Sequence, residues 1–283
     1  MMKTLPALLL AGLVLLASAA EAEKPKLWIA SGLSGGSYRS VYATNLATLM
    51  RDYHTLHQTS SGSGQNLEYL ADGKVDVAFS QADVYAARLA SDPARYGNLL
   101  VIGKLANECV YIAHRKGGPV KDLKGLGDTV DGRPARVAVG AAGGGMSGTW
   151  SYLTTLDPNL SGAEAVSEGG TLALNQLAVG AFDAAGWVTD PANLDHKMLR
   201  AVMANDALVI MSLNDPELVS ALPDGTRIYN TRTVKLSDSW PTPKIQTICT
   251  SALMLTRKDA KPALIDKLAD LLSLHLDRIV GHN

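Results

Sequence analysis

Residues 70–83 read LADGKVDVAFSQAD, and residues 177–190 read LAVGAFDAAGWVTD. Set side by side, Leu70 matches Leu177, Ala71 matches Ala178, Gly73 matches Gly180, Asp76 matches Asp183, Ala78 matches Ala185 and Asp83 matches Asp190. Each stretch reads as the last turn of an amphipathic helix, a glycine that stops it, and a short buried strand. Two explanations fit. Helix–glycine–strand junctions resemble one another in any α/β protein, or the chain carries two α/β lobes of one design. Glycine-rich turns at similar distances upstream of both copies favour the second.

The surrounding sequence repeats the same plan. Leu27 to Ala30 is a short apolar strand that runs into the small-residue turn Ser31-Gly32-Leu33-Ser34-Gly35-Gly36-Ser37. Tyr38, Val41, Tyr42, Leu46 and Leu49 then fall on one helical face,. Thr55 to Thr59 reads as a second strand, and Ser60-Ser61-Gly62-Ser63-Gly64 opens a helix carrying Leu67, Leu70 and Ala71. In the second half, Arg136 to Val139 is a strand, Gly140 to Ser147 a glycine-rich turn, and residues 148–156 and 171–179 are helices.

In open α/β sheets ligands sit beyond the carboxyl ends of the strands, where helices begin. Unpaired N–H groups and a partial positive charge make helix starts favourable to carboxylate or phosphate. Three such turns stand out: Ser34–Ser37 and Ser60–Gly64 in the first lobe, and Gly143–Thr149 in the second. The candidate ligand-binding residues are therefore Ser34, Gly35, Gly36, Ser37, Tyr38, Ser61, Ser63, Gln81, Gly145, Met146, Ser147, Gly148, Thr149 and Trp187. Tyr38 reads equally as core, and Arg39 as an anion partner or a solvated surface residue. Trp187, at the position matching Ser80, reads as cleft wall or packing.

The chain has 283 residues, 47% of them apolar, and a net charge of −1. That suits a globular protein with a buried core and lacks the clustered Lys/Arg surface of a nucleic-acid binder. Residues 1–22 read as a signal peptide: Lys3, an apolar run from Leu5 to Ala17, and small-x-small cleavage patterns at Ala17-Ser18-Ala19 and Ala20-Glu21-Ala22,. The run is short for a membrane span of about 20 residues, an uncleaved anchor being the alternative. The expected location is the periplasm, where a pair of cysteines is free to oxidise. Cys109 and Cys249 are either such a pair or two small buried residues,.

Nucleophile-elbow, P-loop and dinucleotide fingerprints are all missed. Gly145-Met146-Ser147-Gly148-Thr149 fails G-x-S-x-G at its last position, and no Gly-Lys-Ser/Thr follows a glycine-rich turn,. His54 and His57 lack a third metal ligand nearby,. Asp76 and Asp183 read as structural rather than acid/base residues. The expectation is a protein that is not an enzyme and uses no cofactor.

Taken together these segments resemble the TAXI group of periplasmic solute receptors, which serve tripartite ATP-independent (TRAP) transporters. The likeness rests on Gly35-Gly36-Ser37-Tyr38; on Ser61-Gly62-Ser63 with Asn66-Leu67, Gly73, Asp76 and Ala78–Asp83; and on Leu123-Lys124-Gly125, Val137–Gly140 and Ser147-Gly148-Thr149. The run Gly143-Gly144-Gly145-Met146 is richer in glycine than the usual pattern. The resemblance implies an α/β, two-lobed periplasmic-binding-protein type 2 fold, each lobe a mostly parallel sheet flanked by helices. Lobe 1 would comprise residues 23–113 and 250–283, and lobe 2 residues 114–249. It further implies capture of a carboxylate-bearing ligand (a dicarboxylate, keto acid or amino acid) by hinge closure, and inner-membrane transporter subunits as partners of a monomer. In such a fold the chain crosses between lobes twice, here near Glu108 to His114 and Ile245 to Leu255, which puts Cys109 and Cys249 at the hinge, bonded or free. A sensing module for a signalling receptor and a carrier of a larger apolar or lipid ligand are the alternatives.

Overall fold

A computed structural model describes residues 23–222 and 225–281; the expected signal peptide, residues 1–22, lies outside them. The first half alternates β1 (Lys26–Ala30), α1 (Thr44–Leu49, entered through a wide helical turn over Tyr38–Ala43), β2 (His54–Gln58), α2 (Ser63–Ala71), β3 (Val77–Gln81) and α3 (Ala82–Ser91). A short α4 (Pro93–Tyr96) leads into the long β4 (Leu99–Arg115). The second half begins with a small hairpin, β5 (Thr129–Val130) and β6 (Arg133–Pro134), followed by β7 (Arg136–Ala138), α5 (Gly145–Leu156), β8 (Glu164–Val166), α6 (Gly170–Ala178), β9 (Ala184–Thr189), α7 (Lys197–Met203) and β10 (Leu208–Ile210). The chain returns through β11 (Asn230–Lys235) and the long β12 (Lys244–Arg257), and α8 (Pro262–Val280) follows.

The main strand order is β2-β1-β3-β12-β4-β9-β7-β8, which reads the same from either end. β1 is parallel to β2 and β3, as β7 is parallel to β8 and β9. The antiparallel strands β12 and β4 lie between the two trios and pair with each other. The repeat seen in the sequence has a structural counterpart down to single hydrogen bonds. Gly73 and Gly180 both have positive φ, 69° and 85°, and end their helices with matching backbone bonds: Lys74 N–H to Tyr69 and Gly73 N–H to Leu70, Ala181 N–H to Gln176 and Gly180 N–H to Leu177. This is a helix terminus that only glycine occupies without strain. Three residues on, Asp76 accepts from the Trp28 N–H at 2.8 Å and Asp183 from the Arg136 N–H at 2.8 Å. Each carboxylate thus pins its strand to the first strand of its own lobe, a structural role.

Each lobe has its own apolar core. Leu27, Ile29, Leu46, Phe79, Met254 and Leu268 pack in the first, alongside Leu67, Leu70 and Leu255. Val137, Trp150, Leu153 and Tyr229, with Leu174, Phe182 and Leu199, pack in the second. β4 leaves the first core after Leu105 and enters the second at Cys109; β12 leaves the second at Cys249 and enters the first at Ala252. Val110 and Ile112, which a boundary at residue 113 assigns to the first lobe, pack in the second core. Asn107 is exposed and Ala106 half-buried at the crossing, whereas residues 108–114 are buried without a break, so apolar patterning does not place a boundary at residue 113. At that crossing Cys109 and Cys249 face each other across the β4–β12 ladder, their Cα atoms 3.9 Å apart, and form a disulfide. Both residues are buried.

Candidate functional site

The turns that follow β1 and β2 and the end of β3 meet the start of α5 beside the crossing strands. Between them lies a cavity of about 200 Å³. The turn after β1 contributes Ser31, Gly32, Leu33, Gly36, Ser37 and Tyr38; the turn after β2 contributes Ser61, Gly62 and Ser63. Gln81 ends β3, Glu108 sits on β4, Gly145 begins α5 and Thr189 ends β9. Both lobes and a crossing strand therefore wall one space, and it opens at the carboxyl ends of strands, as sheet geometry requires.

The lobes touch directly here. The Gln65 N–H donates to the Gly143 carbonyl at 3.0 Å. Gly62 has φ +135°, and a Cβ built on it would lie 3.1 Å from the Gly145 nitrogen and 3.2 Å from the Gly144 Cα. Alanine at this position is strained in its own backbone and collides with a backbone that does not yield. Gly62→Ala is expected to hold the lobes apart: the collision with Gly144 and Gly145 falls on the closed form alone, at about 1–3 kcal/mol of overpacking, and the radius of gyration measured by small-angle scattering rises above that of the unchanged protein. An unaltered radius would show that the two glycine turns do not set the closure distance.

A buried polar chain links the lobes behind the cavity. Ser63 Oγ donates to Gln81 Oε1 at 3.1 Å, and Gln81 Nε2 donates to Thr149 Oγ1 at 3.1 Å. Thr149 in turn donates to Asp83 Oδ2 at 2.6 Å, and Tyr229 donates to the same oxygen at 2.6 Å. Asp83 is fully buried; desolvation pushes its carboxyl above the usual range, against the two hydroxyl bonds that lower it. Asn66 donates to the Phe79 carbonyl at 2.8 Å and accepts from Ser60, which fixes the second turn against β3.

The crossing strand adds a carboxylate. Tyr38 donates its hydroxyl to Glu108 Oε2 at 2.7 Å. Burial pushes the Glu108 carboxyl up to about 7, Asp83 and Asp190 adding to the rise and the Tyr38 bond opposing it. Ser31, which lines the same cavity, is 1% exposed, and among the described residues its hydroxyl has no hydrogen-bond partner. Thr250, opposite Glu108 in the β12–β4 register, likewise has an unpartnered buried hydroxyl.

Of the residues singled out by sequence, Gly36, Ser37, Tyr38, Ser61, Ser63, Gln81 and Gly145 line this cavity. The others do not. Ser34 and Gly35 lie at the exposed tip of their turn, away from it. α5 begins at Gly145 rather than at residue 148, so Met146, Ser147 and Gly148 form its first turn. Met146 is buried against Gly186, where a Cβ would lie 2.5 Å from its methyl. Ser147 and Gly148 face a different space, an apolar groove of about 710 Å³ that also borders Val84, Ala87 and Tyr152. Thr149 is fully buried and its hydroxyl is committed to Asp83. Trp187 is buried with its ring stacked between Tyr111 at 5.5 Å and His196 at 6.3 Å, a packing role. The groove is the larger space, yet the smaller cavity holds the unpartnered hydroxyl, the carboxylate and the helix starts, which are the features that orient a solute.

Ser31, Gly32, Leu33, Gly62, Glu108 and Thr189 also line the cavity and were not among the candidates singled out by sequence. Within residues 105–113 (LANECVYIA) Glu108 is the one charged residue, and a buried carboxylate is uncommon without a partner; nothing in that pattern assigns it to a cavity.

The fold and the placement of the cavity define a class: an α/β, two-lobed protein of the periplasmic-binding-protein type. Residues 29–279 match the sequence profile of the NMT1-like family, and the chain belongs to that family. Among solved structures it is similar to the binding-protein component of an ABC phosphonate transporter from Pseudomonas aeruginosa (TM-score 0.56, 11% identity, 92% of this chain and 79% of that one). It is also similar to a putative L-cystine ABC transporter protein from Listeria monocytogenes (TM-score 0.53, 13% identity, 90% and 94%). A third is an amino acid ABC transporter substrate-binding protein from Streptococcus pneumoniae bound to L-arginine (TM-score 0.50, 16% identity, 91% and 94%). No curated protein matches the chain. Among the described residues no helix is long and apolar enough to cross a membrane.

Proposed function

We propose that this protein is an exported receptor that closes two lobes around one small solute and delivers it to membrane transporter subunits. The carrying observation is that one cavity takes its walls from both lobes and from a strand that crosses between them. Lobe 1 runs from residue 23 to the β4 crossing and resumes after the β12 crossing at residue 250, lobe 2 is the chain between, and the crossing strands are the hinge. Only a solute that contacts both lobes favours the closed state over the open one. The cavity, at about 200 Å³, has room for about seven waters at roughly 30 Å³ each, which suits a small polar metabolite and not a lipid. The motif resemblance supports a TRAP-type transporter as the recipient and a periplasmic location. No step of this cycle is catalytic.

The test is mass spectrometry of solute released by denaturing protein purified from the periplasm, joined to thermal-shift screening of small metabolites. Recovery of one small polar solute that raises the melting temperature is the expected result. Recovery of a lipid overturns the small-solute reading. Release of nothing, with no shift from any metabolite, overturns the receptor reading.

A further inference from the structure

The charge inventory of the cavity is one-sided. Among the described residues that line it, Glu108 is the only charged side chain; neither lysine nor arginine is present. Glu108 is 8% exposed and forms no ion pair among the described residues. Its one side-chain bond, from the Tyr38 hydroxyl, occupies one oxygen of two. A buried carboxylate without a cation is costly, and removing one partner of a buried pair costs several times more than an exposed ion pair is worth. A carboxyl that faces a solute cavity with one oxygen unbonded and no cation beside it is therefore incomplete as it stands.

The same cavity offers the complementary pole. α5 is a 12-residue helix whose start at Gly145 borders the cavity with no side chain capping its free N–H groups. The unpartnered, buried Ser31 hydroxyl lines the same space. An uncapped helix start favours an acceptor or anion, and the serine hydroxyl adds a donor.

We infer that Glu108, oriented by Tyr38, is an ammonium-binding subsite, so that the solute carries a protonated amine at this end and an acceptor group, such as a carboxylate, at the end facing Gly145 and Ser31. This rests on the receptor reading above and sharpens it: an amine-bearing acid fits, while dicarboxylates and keto acids, which set a second negative or an uncharged acceptor against Glu108, are rejected.

The experiment compares matched probes that differ only in the amine. L-alanine and pyruvate, L-glutamate and 2-oxoglutarate, and L-leucine and 4-methyl-2-oxopentanoate are titrated calorimetrically into the whole mature protein, with succinate as a further acid. The solute released on denaturation is examined for a basic nitrogen. At least one amine is expected to bind, with its oxo partner weaker by about 100-fold or more, since a site built to pair a polar group rejects the analogue lacking it. Glu108→Gln is expected to weaken the amine by about 30-fold or more. The wild-type pairs carry the test even if that variant folds poorly. An oxo acid or succinate that binds as tightly as the amine, or a released solute without a basic nitrogen, overturns the ammonium subsite and leaves the receptor reading standing. No binding by any probe and no released solute overturns both.

Discussion

Replacing Cys109 and Cys249 together with alanine lowers the thermal midpoint of the protein by about 10 °C, and reducing the unchanged protein does the same. The bond closes a loop with a sequence separation of 140 residues. In the chain-entropy description such a cross-link removes about 5 kcal/mol of freedom from the unfolded ensemble, although measured values centre on about 2–4 kcal/mol. In a domain of this size each kcal/mol moves the midpoint by about 2–4 °C, so a loss near 3 kcal/mol gives the stated shift. The native ladder does not depend on the bond: on either side of it Thr250 pairs with Glu108, and Cys109 also pairs with Thr189. The effect is therefore expected in stability rather than in fold, with circular dichroism at 20 °C unchanged. A midpoint within 2 °C of the oxidised protein would mean that the unfolded chain gains little from its release, and that the bond serves something other than stability.

Much of this architecture was legible in the 70–83 and 177–190 stretches, for an identifiable reason. A glycine that must take positive φ and an aspartate that must bond a neighbouring strand are positions where one residue type alone works, so both lobes retain them. The cavity was legible where function and turn chemistry coincide, as at Gly36, Ser37, Ser61 and Ser63. It was not legible where the backbone had to be known first. The run 143–145 reads as loop because glycine is a poor helix former, yet α5 begins inside it: a Cβ at Gly145 would lie 2.0 Å from Gln81 Oε1. Helix periodicity then carries Ser147 and Gly148 onto the side facing Val84, out of the cavity. Glu108 differs: its lone charge within residues 105–113 is visible but belongs to no motif, and only the meeting of β4 with the turn after β1 gives it a role.

Asp83→Ala is expected to open the lobes and to weaken solute binding by about 100-fold. Asp83 stands at the start of α3 in the first lobe, and its acceptors are used by the second lobe: Thr149 on α5 and Tyr229 just before β11 both donate to Oδ2 at 2.6 Å. These bonds exist only while the lobes are together. In alanine's place both hydroxyls lose their acceptor inside a dry contact, at about 1–3 kcal/mol for each group left unsatisfied. In the open state water satisfies them, so the penalty falls on the closed state alone. A combined loss of about 3 kcal/mol shifts the closed-to-open ratio by about two orders of magnitude, and apparent affinity follows the closed fraction. Tyr229→Phe removes one donor and leaves Asp83 its Thr149 bond, so about a tenfold loss is expected there. Asp83→Asn keeps an acceptor oxygen and should fall between the two. Small-angle scattering without solute, and calorimetry with the solute that co-purifies, measure the two consequences separately. Should Asp83→Ala scatter like the unchanged protein and bind within threefold of it, the latch would be a packing feature of the closed lobes without influence on their equilibrium. Closure would then have to be set by the glycine contacts at Gly62 and Gly145 and by the solute itself.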